Sequence, residues 1–302
     1  MVNRVATYPY TTSMIADNMR LQVKYADINT QISSGLKSQN YKGISRDTQY
    51  LLSVESAVDR LDAYNTNGNI VLATVNTIYE ALGQVENMAN SVLAAITAAL
   101  GGGQVPTAVT TAQAQNALNE TASVLNLQIA SRYVFAGSDI DTPPVDLTDP
   151  AWVPQTSPSV VNSNYYQGNS SVLSVQLSES YSVSYGVKAD SSAFEELLRA
   201  YNLVVNNPGS TAELSEASGL IQQAIDNLAT IRSNLSINSR SIEDQINQNE
   251  QDKVYLKELV STIKEVDLPS ASVQLTEVQT QMEASYTASV RILNLNLHDY
   301  LR

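Results

Sequence analysis

Apolar residues recur at alternating three- and four-residue steps over most of this chain, the mark of helices buried along one stripe. In the first segment Met14, Leu21 and Ile28 fall seven apart, and so do Asn18, Tyr25 and Ile32. Together they form the seam of a helix that packs against another helix, with Gly35 as its stop. A loop over Lys37–Gly43 follows. A longer stripe runs through Leu51, Val54, Val58, Leu61, Leu72, Val75, Tyr79, Leu82, Ala89, Leu93, Ile96 and Leu100, interrupted by Asn65, Gly68 and Glu86. Asn67-Gly68 is also a hairpin signal. The helical spacing continues through it, which predicts one long helix with a tolerated glycine. Gly101-Gly102-Gly103 and Pro106 end that helix. A third helix is expected from about Thr107 to Arg132.

The pattern then changes. Pro143, Pro144, Pro150, Pro154 and Pro158 cluster with Trp152. Two runs, Val172–Leu177 and Tyr181–Val187, alternate with period two and predict strands. Helices resume at Ser192, a candidate N-cap, with Phe194, Leu197, Leu198 and Tyr201 on one side. Asn207-Pro208-Gly209 is a turn. Another stripe carries Ile221, Ile225, Leu228, Leu235, Ile242, Ile246, Leu256, Val260 and Ile263, with Arg232, Ser239, Asn249 and Lys253 in the same line. Polar seam residues weaken a helix pair but set its register and partner. Asp267-Leu268-Pro269-Ser270 breaks the stripe. The last segment carries Leu275, Val278, Met282, Tyr286, Val290, Leu293, Leu297 and Leu301, a spacing of about 3.7 that is nearer an eleven-residue than a seven-residue repeat.

The elements nest, with short amphipathic helices at both ends, long helices inside them and a β insert in the middle. This predicts a mainly α protein whose terminal helices pair as a coiled coil, with a helical-bundle rod and a β-rich outer domain. The expected divisions are 1–40 with 267–302 for the terminal assembly domain, 41–135 with 191–266 for the rod, and 136–190 for the outer domain. Lone helices of the length found at the ends are marginal in water and take their stability from packing. Folding on assembly is therefore expected of them, through Met14, Leu21, Tyr25, Ile28, Ile32, Leu275, Val278, Met282, Tyr286, Val290, Leu293 and Leu297.

Composition narrows the chemistry. The 302 residues include no cysteine and one histidine, His298, which leaves out disulfides, thiolate chemistry and histidine metal clusters. The net charge is −13, and nucleic acid binding needs clustered cations. The charge is uneven, since residues 1–46 hold Arg4, Arg20, Lys24, Lys37, Lys42 and Arg46 against Asp17 and Asp27. No apolar run is long enough to cross a membrane, and the N-terminal residues lack the continuous apolar stretch of a Sec signal. The chain reads as intracellular, or as exported by a route that leaves no cleaved signal. The triple glycine lacks the Gly-Lys-Ser/Thr of a phosphate loop. Glu195-Glu196 reads as a solvated helix face, because adjacent helical residues point apart. Asn119, Asn169 and Asn234 match the glycan-acceptor pattern by chance. Exposed aromatics at Trp152, Tyr165 and Tyr166 would suit a sugar, though packing is the simpler reading of Trp152. No catalytic, cofactor or metal residue emerges.

Several motifs carry a resemblance. Ile32-Ser33-Ser34-Gly35-Leu36-Lys37 resembles the N-terminal motif of the flagellin superfamily, and Asp267–Arg302 is similar to that family's C-terminal helix. Arg132-Tyr133-Val134-Phe135-Ala136-Gly137-Ser138-Asp139-Ile140-Asp141-Thr142-Pro143-Pro144 resembles the entry to the β domain of its hook-associated members. Tyr165-Tyr166-Gln167-Gly168-Asn169 and Leu295-Asn296-Leu297-His298-Asp299-Tyr300-Leu301 resemble two more of their motifs. The resemblance implies a structural protein of the bacterial flagellum joining hook to filament, or alternatively a short filament-forming flagellin. It implies type III export without a Sec signal, an extracellular location, an export chaperone, and a homo-oligomeric ring beside hook-associated and flagellin subunits. It implies no enzyme activity and no cofactor.

Overall fold

The computed structural model describes residues 4–45, 47–102 and 106–294. Six helices dominate these: α1 (Arg4–Ser34), α2 (Thr48–Leu100), α3 (Thr107–Leu125), α4 (Ser192–Asn206), α5 (Thr211–Lys264) and α6 (Leu268–Asn294). Four short strands make two antiparallel ladders, β1 (Gln128–Ile129) with β2 (Arg132–Tyr133), and β3 (Ser174–Gln176) with β4 (Ser182–Ser184). The chain divides into two compact units, Met1–Asp59 with Lys253–Arg302, and Arg60–Asp252.

In the second unit, helix α2 runs unbroken through Asn67-Gly68. A Cβ at Gly68 would lie 3.0 Å from Ile246 Cδ1 and 3.1 Å from Leu177 Cδ2, so the missing side chain lets α5 and the end of β3 come close. Helix α2 buries more than the single predicted line: Val71, Ile78, Val85 and Val92 are buried beside Val75, Leu82, Ala89 and Ile96. The wider stripe follows from one continuous core, which also takes in residues of α3, α4, α5 and the segment 134–189.

The polar residues in the predicted stripes meet across α2 and α5. Asn249 is buried and donates from Nδ2 to Asn65 Oδ1 and to the Leu177 carbonyl, both at 2.9 Å. Its Oδ1 accepts from Gln245 Nε2. Arg232 pairs with Glu86 and lies 4.4 Å above the Tyr79 ring. As the partner number rises on α2 it falls on α5, so the two helices run antiparallel and these contacts set their register.

The two motif segments of the insert interlock. Asn169 accepts from Ser138 N and Ser171 N at 3.0 Å each, and its own N–H donates to the Ala136 carbonyl. Gln167 N donates to the Pro144 carbonyl, and Val145 bridges to Tyr166. Gly137 has φ +75°, and a Cβ there would lie 2.4 Å from Asn169 Oδ1. A glycine is required at that position on both counts.

The structure corrects three expectations. Helix α3 ends at Leu125, seven residues short of Arg132. There the Asn126 side chain brackets Val145, donating to its carbonyl and accepting from its N–H, and Ala130 and Ser131 turn the chain with positive φ. Ser191, not Ser192, precedes the first turn of α4. Glu195 is not on a solvated face: it is buried, ion-paired to Arg199 at 3.0 Å, and accepts from Asn162 N. Segment 155–162 covers it, and a covered carboxylate needs such partners.

Candidate assembly interface

The ends of α1 and α5 and the start of α6 meet in a clasp. Helix α1 stops at Ser34 because Gly35 adopts φ +72°, with its N–H bonded to the Gln31 carbonyl at 2.8 Å. The Gly35 carbonyl then accepts from Val266 N at 2.9 Å, and Lys37 N donates to the Lys264 carbonyl at 2.7 Å. Lys37 Nζ reaches the Thr262 and Ile263 carbonyls at 2.6 and 3.1 Å, satisfying acceptors that the end of α5 leaves open. Glu55 pairs with Lys264 and raises its pKa. Asp267 Oδ1 accepts from Ser270 N, and Pro269 sits in the first turn, so α6 restarts with favourable chemistry.

From the clasp, α1 and α6 pack antiparallel within one chain. Ile28, Ala271 and Val278 are buried between them, with Leu21, Tyr25, Ile32, Val266, Leu275 and Met282 packed around. Met14 is half-buried. Beyond Met282 the predicted line leaves this seam: Tyr286 is 41% exposed and Val290 56%. Steps of four on a helix of 3.6 residues per turn advance by roughly 40° each, which carries them around to the flank. Ser285 and Ser289 take their place. Asn18 Nδ2 donates to Ser289 Oγ at 3.3 Å, and Gln22 Nε2 to Tyr286 Oη at 2.8 Å. The side chains of Leu293 and Leu297 lie outside the described residues.

The pairing leaves other apolar groups uncovered. Ile15, Met19 and Val23 are 55%, 61% and 61% exposed on the side of α1 away from the seam, and Val273 on α6 is 69% exposed. The four-residue repeat of Ile15, Met19 and Val23 is the sequence signal of this second face. Burying one such side chain is worth about 1.5–3 kcal/mol.

The other candidate features take structural roles. Trp152 and Tyr165 are buried and meet edge to face, with centroids 5.2 Å apart, so no flat aromatic platform is offered to a sugar. Tyr165 Oη donates to the Ala189 carbonyl, and burial pushes its phenol upward, helped by Glu195 and Asp190. Burial also raises Tyr166, to about 12. Asn169 is committed to the insert, and Asn119 and Asn234 lie within α3 and α5. Gly102, with φ +75°, follows the end of α2 as the expected helix stop. Among the described residues no group of three or more His, Asp or Glu is placed to hold a metal ion, and no helix is long and apolar enough to cross a membrane. His298 lies outside the described residues.

Residues 219–301 match the family model of the bacterial flagellin C-terminal helical region. No curated protein matches the chain. Among solved structures, a protein of Vibrio parahaemolyticus assigned to the flagellar hook-associated proteins is similar, with 13% identity and a TM-score of 0.62, over 72% of this chain and 97% of that one. Hook-associated protein 3 of Legionella pneumophila gives 10% identity and a TM-score of 0.45, over 78% and 99% of the two chains. FlgL of Bacillus cereus gives 10% and 0.37, over 73% and 96%. The region 219–301 is thus similar to the flagellin C-terminal helical region, and the chain shares its fold with the Vibrio parahaemolyticus protein.

Proposed function

From the likeness of 219–301 to the flagellin C-terminal helical region and of the fold to a protein assigned to the hook-associated proteins, we propose that the chain is a structural, non-enzymatic component of the bacterial flagellum and forms the junction between hook and filament. Its terminal helices, 1–40 with 267–302, form the assembly domain as a coiled-coil pair. Residues 41–135 with 191–266 form the rod, and 136–190 the outer part. The subunit is exported through the flagellar type III apparatus, with a chaperone shielding its apolar ends, and assembles as a ring beside hook-associated and flagellin subunits. The absence of cysteine suits this route, because no disulfide obstructs threading of the chain.

The observation that carries this reading is the apolar line of Ile15, Met19 and Val23 left uncovered on α1 after the seam has closed on α6. A surface of that kind at the paired ends of the chain suits burial against neighbouring subunits. Deleting the gene tests it. Loss of a junction protein leaves hooks intact while flagellin escapes into the medium. Loss of a short flagellin, the alternative reading favoured by the match over 219–301, leaves cells without filament and without that escape.

A further inference from the structure

The α1–α6 seam repeats every seven residues, and that repeat leaves its register open. On α1, Met14, Leu21 and Ile28 are related by sevens, and so are Asn18, Tyr25 and Ile32. On α6 the corresponding series are Ala271, Val278, Ser285 and Leu275, Met282, Ser289. Displaced by one heptad so that Leu21 meets Val278, Tyr25 meets Leu275 and Ile28 meets Ala271, the seam stays apolar except at Ser285, whose small hydroxyl can bond to its own helix's backbone as that of Ser289 does, and at Asn18, the one polar member of its series. In the observed register it meets Ser289, whose Oγ also donates to the Ser285 carbonyl at 2.8 Å. Slipped by one heptad, Asn18 would face Met282, and its amide would be shut in without a partner.

The observed site is itself only partly satisfied. Asn18 Oδ1 is buried and has no hydrogen-bond partner among the described residues. A buried acceptor without a donor weakens the pair, so stabilising the seam is a poor account of this residue. A single amide in an otherwise apolar helix seam selects register and partner at a cost in stability. Within one chain the clasp at Gly35 and Val266 also holds register. A slip of one heptad, about 10.5 Å along the helix, parts Gly35 from Val266, so in a slipped pairing between copies the clasp is open and only the seam residues act.

We infer that Asn18 and Ser289 form a register lock that favours the in-phase pairing of a chain's own two ends over slipped pairing with the ends of another copy. The lock follows from the packing of α1 on α6. Its bearing on assembly rests on the function proposed above, but the lock does not.

The chain has no cysteine, so introduced pairs report cleanly. Purified full-length chains carrying Gln22→Cys with Tyr286→Cys report the observed register. Chains carrying Gln22→Cys with Gln279→Cys report the slipped one. Both are treated with a short bis-maleimide and resolved on a denaturing gel. With Asn18 present, the 22/286 pair closes within one chain, and the 22/279 pair gives little dimer. Adding Asn18→Leu raises the 22/279 dimer at least tenfold, a change of about 1.4 kcal/mol. The exchanged pair Asn18→Ser with Ser289→Asn returns the dimer to its low level. An unchanged dimer yield in Asn18→Leu overturns the lock, and so does failure of the exchanged pair to restore it. Loss of the intrachain 22/286 product in Asn18→Leu also overturns it, because Asn18 would then hold the helices together instead of choosing their phase. None of these outcomes depends on the deletion phenotype, so the two tests fail separately.

Discussion

Replacing Asn249 by alanine should be among the most damaging single changes in the second unit. The side chain is 1% exposed and sits where α5, α2 and the end of β3 converge. Alanine removes two donated bonds and one accepted bond, each 2.9 Å long. Each bond contributes about 1 kcal/mol net, and leaving the Leu177 carbonyl buried without a donor costs a further ~1–3 kcal/mol. The bonds are coupled and Gln245 can turn to solvent, so the expected loss is about 3–4 kcal/mol. For a unit of this size 1 kcal/mol moves the midpoint by roughly 2–4 °C, which predicts a fall of about 6–16 °C. Asn249→Asp sharpens the test. It keeps the acceptor for Gln245 but turns an oxygen toward two other oxygens, so it should destabilise at least as much as alanine. Calorimetry and urea titration of the full chain give both numbers. An alanine variant within 1 kcal/mol of the parent, or an aspartate variant more stable than the alanine one, would refute the assigned network.

Gly137→Ala combines a disfavoured backbone with a methyl group driven onto Asn169, and should cost at least ~2 kcal/mol, read as a lowered melting midpoint and faster proteolysis within 136–190. Burial pushes the Glu216 carboxyl upward, but hydrogen bonds from Ser157 and Ser159 and the Arg199 charge outweigh this and hold it below its ordinary 4.5. Its contribution to stability is therefore present above that value and is lost as the pH falls through the depressed one. Urea titrations between pH 3 and 7 should show Glu216→Gln less stable than the parent near neutrality and less sensitive to acid. Lys37→Met should fray the last turn of α5, with faster hydrogen exchange at 260–266 and no change in the second unit.

Local chemistry made much of this fold legible. Gly35, Gly102 and the Asn207-Pro208-Gly209 turn mark where helices stop, and the alternation around Val175 and Val183 marks the β3–β4 ladder, whose buried side chains they are. The heptad line of α1 faces α6 as its spacing requires. Long-range geometry hid the rest. Leu127, Ile129 and Ala130 fit a helix as well as a turn, and the bracket between Asn126 and Val145, nineteen residues away, decides for the turn. Glu195 looked solvated because nothing local announces that segment 155–162 folds over it, although Arg199 four residues on was a readable hint of an ion pair. The candidate assembly surface was half legible. Its seam shows as a heptad pattern and Ile15, Met19 and Val23 repeat every four residues, but only the filled seam shows that this second line is left uncovered.

The proposed mode of assembly depends on that uncovered line. Val23→Asp places a charge on it without touching the residues packed between α1 and α6, so the purified chain should keep its helical content and melting midpoint. Supplied in cells lacking the native gene, it should be exported and yet fail to enter the flagellum, with the subunit recovered from the medium. Normal incorporation of Val23→Asp at native levels would contradict burial of the outer face of α1 between subunits, and with it the proposed mode of assembly.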